Sequence, residues 1–198
     1  MRKIERGAAP DFWIRGRKQY HFYRELTDSL GSELRQSLRE HLIETQIGLC
    51  GYCCRAITMD NSHNEHIKPQ DGYAQLSMDY ENLIASCNHG DTCGEAKKNR
   101  YDKRFVSPID DDCEEHFKFA IDGSIIGITE NGRITIDLLN LNSYALKSFR
   151  RAVLMSCYPW DNKTELEQYY HSPLDKPPAG LDIIEYYCRT NELDQSLT

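Results

Sequence analysis

The spacing of apolar residues predicts a long helix in the first quarter of the chain. Leu34, Leu38 and Leu42 recur every four residues, which is typical of a helix that buries one face. Ser32 is expected to cap this helix, because its hydroxyl can accept a hydrogen bond from a backbone N–H that has no partner within the helix. Gly48 follows the periodic residues and predicts the end of the helix.

Shorter segments follow in the middle of the chain. Residues 56–59 and 63–68 are predicted as two strands, joined by a turn at the Asp60-Asn61 pair. Residues 80–87 and 95–104 are predicted as short helices on either side of a polar loop.

The second half of the chain predicts one hairpin and several helices. Residues 117–121 and 125–128 flank Asp122-Gly123, which is typical of a hairpin turn. The remaining expected elements are a strand at 133–137, a strong helix at 142–157 and shorter helices at 164–170 and 181–189. The pattern as a whole predicts an α+β fold that is mainly helical.

Composition excludes several classes of protein. The chain has 198 residues, of which 39% are hydrophobic, so we expect one folded core and not a disordered chain. No run approaches eighteen apolar residues, and no membrane-spanning helix is expected. The start of the chain is charged and has no apolar signal segment, which favours a cytoplasmic protein.

Charge is distributed unevenly and suggests three regions. Residues 1–24 carry seven Lys/Arg against two acidic residues and are expected to form a basic arm, irregular around Pro10 and Gly16. Residues 25–106 contain the motifs described below. Residues 107–198, with sixteen acidic and eight basic residues, are expected to pack on that core as a hairpin with helices. The net charge of −7 argues against a protein that binds nucleic acid tightly without a partner.

Clustered cysteines in a cytoplasmic chain are typical of a metal site. Cys50 and Cys53 form a CxxC pair, and Cys87 and Cys93 form a second, wider pair. Four thiolates at about 2.3 Å from Zn²⁺ would make a closed structural site. Two substitutions in this set stay open: Cys54 for Cys53, and His89 for Cys93. The cysteines outside it, Cys113, Cys157 and Cys188, are expected to be buried thiols.

Residues between the two cysteine pairs have the chemistry of phosphodiester hydrolysis. Glu65 could hold a divalent cation, while the adjacent His66, in its neutral form, could take a proton from the attacking water. Asn82 could fix the loop near the histidine through backbone hydrogen bonds. His63 is expected to face the other side of the strand from His66 and has no assigned role.

The string CGYC…EHIKP…DYENL…SC…CGEAKKNR resembles the zinc-bearing HNH, or ββα-metal, endonuclease motif. Most of the chain also resembles the PtuB-like nuclease subunit of Septu-type and retron-associated anti-phage systems. The resemblance implies His66 as general base, Glu65 as ligand of a catalytic Mg²⁺ or Mn²⁺ and Asn82 as the loop-fixing residue. It also implies a structural zinc ion on Cys50, Cys53, Cys87 and Cys93.

The chain departs from this motif at one position. In many HNH proteins an Asn or His follows the last zinc cysteine and completes the nuclease metal site, but Gly94 stands there. Asn99 is the preferred substitute ligand, ahead of Asn88, His89 and Asp102. Lys97 and Arg100 are expected phosphate contacts, although a solvated helix face would explain them equally well.

The resemblance implies a metal-dependent nuclease that acts as the effector of a defence complex. The resemblance also implies an ABC- or SMC-like ATPase of the PtuA type as partner. This chain has no phosphate-binding GxxxxGK[ST] loop, so ATP control is expected to come from another chain. A retron-associated system would add a reverse transcriptase with its RNA–DNA hybrid. The alternative is a zinc-stabilised scaffold subunit with a degenerate nuclease pocket. The sequence does not choose between DNA and RNA as substrate.

Overall fold

The computed structural model describes residues 1–157 and 179–190, and within these ranges it has six helices and two small sheets. The elements are α1 (Asp11–Gln19), α2 (Ser29–Thr45), β1 (Ser62–His66), β2 (Leu83–Cys87), α3 (Cys93–Lys97), β3 (Phe117–Phe119), β4 (Ile125–Gly127), α4 (Glu130–Leu139), α5 (Tyr144–Cys157) and α6 (Leu181–Thr190). The expected α+β class is confirmed. None of the described helices is long and apolar enough to cross a membrane. The helix expected at 164–170 lies outside the described residues.

The N-terminal segment is more regular than predicted, because residues 11–19 form α1. Pro10 occupies the N-cap position, where a missing backbone N–H costs nothing. A Cβ at Gly16 would lie 2.3 Å from Leu34 Cδ2, so the glycine lets α1 approach α2 closely. Trp13 is fully buried and its indole N–H donates to the Met78 carbonyl over 3.2 Å. The two residues that suggested irregularity therefore fit a packed helix.

Helix α2 is present as predicted, but it begins earlier. Asp28 is the N-cap, and its carboxylate accepts from the Gly31 backbone N–H at 2.7 Å. Ser32 lies inside the first turn and does not cap the helix. Leu38 and Leu42 are fully buried on the predicted face.

The strand pairing in the middle of the chain differs from the prediction. Strand β1 pairs antiparallel with β2, with His66 opposite Leu83 and Ser62 opposite Cys87. Residues 56–59, predicted as a strand, contribute one isolated bridge from Ala56 to Leu49. Residues 80–87, predicted as a helix, are a short 3₁₀ turn followed by β2. The apolar run is buried on both faces, and such a run has no periodicity that separates strand from helix.

Helix α3 is short, because Lys98 adopts a left-handed φ of +49° that ends it well before residue 104. The hairpin of β3 and β4 is confirmed, as are the helices α5 and α6. Residues 133–137 belong to α4 and not to a strand. The Thr129 hydroxyl accepts from the Gly132 N–H at the N-terminus of α4, and this capping explains the helix.

Side-chain and backbone contacts join the two ends of the described chain. The terminal amino group of Met1 forms a buried ion pair with Asp182 at 3.1 Å. The Gly180 N–H donates to the Cys54 carbonyl over 2.8 Å.

Arg150 in α5 is fully buried and donates to the carbonyls of Gly123 and Leu141. The arginine therefore fixes α5 to the β3–β4 turn and to the end of α4.

We expect Arg150→Met to lower the free energy of unfolding by about 2 kcal/mol, because two carbonyls lose a charged hydrogen-bond donor. Arg151→Met is the matched control, since Arg151 is exposed on the same helix. Thermal unfolding followed by circular dichroism compares the two variants. Equal midpoints would contradict the structural role of Arg150.

Candidate active site

The four cysteines predicted to bind metal come together at one buried point. Cys50 and Cys53 lie in the turn after α2, Cys87 ends β2 and Cys93 begins α3. Their sulfur atoms all lie within 4.8 Å of one another, with Cys53 and Cys87 at 3.7 Å. Sulfurs in a tetrahedral zinc site with bonds of about 2.3 Å would be about 3.8 Å apart. The cluster could therefore hold a metal ion.

Local backbone geometry explains why these four sulfurs converge. A Cβ at Gly51 would lie 2.9 Å from Ile84 Cδ1, so the glycine lets the CxxC turn pack against β2. The Cys87 N–H donates to Cys50 Sγ at 3.3 Å. Burial opposes ionisation of Cys50, yet hydrogen bonds with the neighbouring thiols hold its pKa well below the usual value, and the same contacts raise the pKa of Cys53 and Cys93. A thiolate is the form that binds zinc.

The two alternative metal ligands, Cys54 and His89, lie outside the four-sulfur cluster. Cys54 turns away and packs with Leu49 and Leu181 in a separate apolar cluster. His89 is exposed. Of the cysteines outside the cluster, Cys113 is buried, and its burial raises the pKa of the thiol to about 12. Cys188 is half-buried, and the side chain of Cys157 lies outside the described residues.

Beside the cysteine cluster, Glu65 and Lys97 form a buried ion pair. Glu65 Oε1 lies 2.9 Å from Lys97 Nζ, and the same ammonium group donates to the His66 carbonyl at 3.0 Å. Burial would raise the pKa of Glu65, but His63 and Lys97 outweigh it and lower the pKa. Lys97 is only 1% exposed, so its ammonium group faces Glu65 and not the solvent. The sequence had predicted that Lys97 contacts a phosphate group, which would require an ammonium group that reaches the surface.

His66 is held in one orientation at the end of β1. Its Nε2 lies 3.0 Å from the Ser77 carbonyl, and its ring meets Tyr23 edge-to-face. A carbonyl oxygen can only accept, so Nε2 carries the proton and Nδ1 has the lone pair in the neutral ring. Burial lowers the pKa of His66, although the Ser77 hydrogen bond opposes the shift. Burial therefore favours the neutral form of His66, in which Nδ1 has the lone pair.

Asn82 fixes the chain that follows β1. Its Oδ1 accepts from the Lys68 N–H at 2.7 Å, and its Nδ2 donates to the carbonyls of Lys68 and Leu76. These three hydrogen bonds join the segment after His66 to the loop before β2. Asn82 thus has the contacts of a loop-fixing residue.

His63 lies next to Glu65, a contact that the sequence analysis missed. Its Nε2 is 3.3 Å from Glu65 Oε2, and its Nδ1 is 2.6 Å from Asn88 Oδ1. Burial alone would lower the pKa of His63, but the contacts with Glu65 and Asn88 raise it. Residues two apart on a strand share a face, and this spacing was the available signal. His63 faces away from His66, as expected, and therefore toward the same side as Glu65.

Asn99, the preferred substitute ligand, and Arg100, the second expected phosphate contact, lie away from Glu65. Asn99 and Arg100 line an open groove with Asp102 and residues of α4. Arg100 donates to the carbonyls of Ala96 and Leu138. Within the described part of the chain, neither Asn99 nor Arg100 forms a hydrogen bond or ion pair with the Glu65 carboxylate. Asp102, another candidate, is paired with Arg104 at 2.9 Å.

A second open groove, of about 520 Å³, lies between β1 and α2. Arg35 and Arg39 of α2 line it, together with His63 and Asn64 of β1. Arg39 also donates to the Met59 and Ser62 carbonyls. This groove brings cationic side chains to the strand that carries Glu65 and His66.

Comparison with known proteins points to one enzyme family. No protein-family model matches the chain. A curated relative from Vibrio cholerae serotype O1 biovar El Tor, named "Retron Vc95 putative HNH endonuclease", is 31% identical over 132 residues. This chain is similar to a retron HNH endonuclease. The similarity covers 60% of this chain and 63% of the relative, which is a little under two thirds of the relative's length. The resemblance expected from the motif string is thereby confirmed.

We expect Cys50→Ser to lose most of the bound zinc and to lower folding yield, because a four-sulfur site would lose one ligand. Cys54→Ser is the matched control, since the thiol of Cys54 lies outside the four-cysteine cluster. Zinc per chain, measured by mass spectrometry of the purified proteins, checks the prediction. Loss of zinc in Cys54→Ser and retention in Cys50→Ser would refute the ligand set.

We expect Lys97→Met to destabilise the fold by about 3 kcal/mol, because it leaves the Glu65 carboxylate buried without its ammonium partner. Lys98→Met is the control, since Lys98 is adjacent and exposed. Denaturant unfolding of both variants measures the difference. If Lys98→Met were the more destabilising change, the ion pair would not have this role.

Proposed function

We propose that the chain is a metal-dependent HNH endonuclease that hydrolyses phosphodiester bonds in nucleic acid. The observation that carries the proposal is the pair of consecutive residues at the end of β1. Lys97 pairs with Glu65, which favours its ionised form, and the Ser77 carbonyl orients the His66 ring. The named relative supports the same reaction class.

In this proposal His66 is the general base. Nδ1 takes a proton from a water molecule as the water oxygen attacks phosphorus, while the Nε2–H bond to the Ser77 carbonyl keeps the ring in place. A new P–O bond forms, the bond to one ester oxygen breaks, and that oxygen takes a proton from solvent. The lowered pKa keeps His66 in the required neutral form.

Glu65 fits the role of cation ligand, because a buried carboxylate oxygen is a hard donor that suits Mg²⁺ or Mn²⁺. Oε1 is held by Lys97, which leaves Oε2 for the cation. The bound cation would offset the negative charge of the phosphate as cleavage proceeds. Lys97 is then a positioning residue for Glu65, and Asn82 positions the loop after His66.

We place the nucleic-acid backbone in the groove between β1 and α2. Arg35 and Arg39 line that groove together with His63, which contacts Glu65. Arg100, on the other groove, remains a candidate for a more distant phosphate. A chain with a net charge of −7 holds a polyanion weakly, so we infer that a partner delivers the substrate.

We infer that zinc occupies the four-cysteine cluster and that the protein is the cytoplasmic effector of an anti-phage defence complex. In the proposed complex an ABC- or SMC-like ATPase controls the nuclease, and a retron reverse transcriptase with its RNA–DNA hybrid is a further partner. The retron in the relative's name supports this context. We also propose that the basic arm 1–24, the nuclease core 25–106 and the region 107–198 form one packed unit.

The second candidate function is a zinc-stabilised scaffold with a degenerate pocket. Gly94 favours it, because a glycine offers no side-chain ligand where many HNH proteins have one. The same ionised carboxylate and neutral histidine would then have no chemical role. Measurement of cleavage separates the two candidates.

We expect His66→Ala to reduce cleavage of DNA or RNA by at least about 100-fold in Mg²⁺ or Mn²⁺, because the general base is removed. His21→Ala is the control, since His21 is exposed and far along the chain from the motif. Both variants and the wild type are assayed alone and with the cognate ATPase. Equal cleavage by wild type and His66→Ala would contradict the catalytic role and favour the scaffold.

A further inference from the structure

We propose that His63 is the second protein ligand of the nuclease cation and takes the place of the side chain that Gly94 lacks. The inference rests on the proposed endonuclease function. The cation would lie between His63 Nε2 and Glu65 Oε2, on the face of β1 that meets α3.

The spacing of the two donor atoms suits a shared octahedral cation. Nε2 of His63 and Oε2 of Glu65 are 3.3 Å apart. Adjacent ligands of an octahedral ion with bonds of about 2.1 Å are about 3.0 Å apart. A small side-chain movement would therefore close the site. Because the His63 side chain is 26% exposed, waters and a substrate phosphate can reach the remaining positions.

Asn88 holds the imidazole in the tautomer that a metal ligand needs. Its Nδ2 donates to the Ser62 carbonyl, which leaves Oδ1 facing His63 Nδ1 at 2.6 Å. An amide oxygen can only accept, so Nδ1 carries the proton. Nε2 faces the Glu65 carboxylate, so a bound cation would take the place of the proton that Nε2 otherwise shares with Oε2. Histidines that bind metals commonly donate their other N–H to such a partner, which fixes the ring.

The missing side chain at Gly94 leaves room for the His63 imidazole. A Cβ at residue 94 would lie 2.7 Å from His63 Nε2 and 2.8 Å from Glu65 Oε2. A side chain there would reach the same carboxylate oxygen, but it would collide with the imidazole. The absence of a side chain at Gly94 is thus what allows His63 to stand beside Glu65. Strand β1 thus supplies the ligand that many HNH proteins have at the start of the helix.

The donor set also predicts which cation binds best. One imidazole nitrogen and one carboxylate oxygen suit Mn²⁺ and other first-row divalent ions better than Mg²⁺, which prefers oxygen. We therefore expect Mn²⁺ to bind more tightly than Mg²⁺ in a competition experiment.

The test is a titration of the full-length, zinc-loaded protein with Mn²⁺, in which electron paramagnetic resonance measures free Mn²⁺. We expect His63→Ala to weaken Mn²⁺ binding by at least about tenfold, and Asn88→Ala to weaken it less. The double variant His63→Ala/Gly94→Asn should recover binding, because it returns a ligand to α3 as the end of the Glu65 side chain shifts from the new Cβ, which would otherwise lie 2.8 Å from Oε2. His21→Ala is the control and should bind Mn²⁺ like the wild type. Zinc content and thermal unfolding of each variant report whether the fold is intact.

Each outcome has a distinct meaning. Wild-type affinity in a folded His63→Ala protein overturns the ligand role, even if nuclease activity is intact. A double variant that recovers no binding overturns the exchange between His63 and Gly94. If the wild type binds Mn²⁺ through His63 but cleaves no nucleic acid with its ATPase partner, the metal site stands and the endonuclease proposal fails. A wild type that binds no Mn²⁺ overturns the site itself.

Discussion

The convergence of four cysteine sulfurs positions the whole candidate site. Strands β1 and β2 are five residues each, and a two-stranded sheet of that size is marginally stable alone. Cys50 and Cys53 anchor the turn after α2 to β2, and Cys93 anchors the start of α3 to the same point. This arrangement brings α3 against β1. The Gly94 N–H adds to this placement by donating to the Ser86 hydroxyl over 3.2 Å.

A buried charge pair then sets the electrostatics of the site. Lys97 lies one turn into α3 and reaches both the Glu65 carboxylate and the backbone of His66. Burying two charges has a desolvation penalty that a hydrophobic pair would not have, so the pair is better understood as positioning than as a source of stability. It keeps Glu65 ionised with one oxygen directed toward His63. Burial lowers the pKa of His66, although the Ser77 hydrogen bond and the Glu65 charge both oppose this shift.

The alternation of β1 separates the chemical roles. His63 and Glu65 face α3, whereas Asn64 contacts Tyr23 and Arg35, and His66 contacts Tyr23 and Ser77. A five-residue strand thus presents the proposed cation ligands on one side and the proposed general base on the other. They serve one phosphate if the substrate backbone in the groove between β1 and α2, which His63 lines, extends to the end of the strand at His66.

The sequence by itself indicated the four-cysteine set, with Cys54 and His89 as open alternatives, together with the Glu65-His66 pair and the hydrogen-bonding role expected of Asn82, because these depend on residue type and motif spacing. Helix α2 and the β3–β4 hairpin were also predictable, because the periodicity of the helix and the turn residues of the hairpin are local features. Only the tertiary structure decided that residues 83–87 are a strand, that Lys97 is buried against Glu65 and that Asn99 lies in another groove. Those facts depend on pairing between segments about twenty residues apart and on the packing of α3. The contact between His63, Glu65 and Gly94 has the same origin, since only the surrounding atoms show what a side chain at residue 94 would meet.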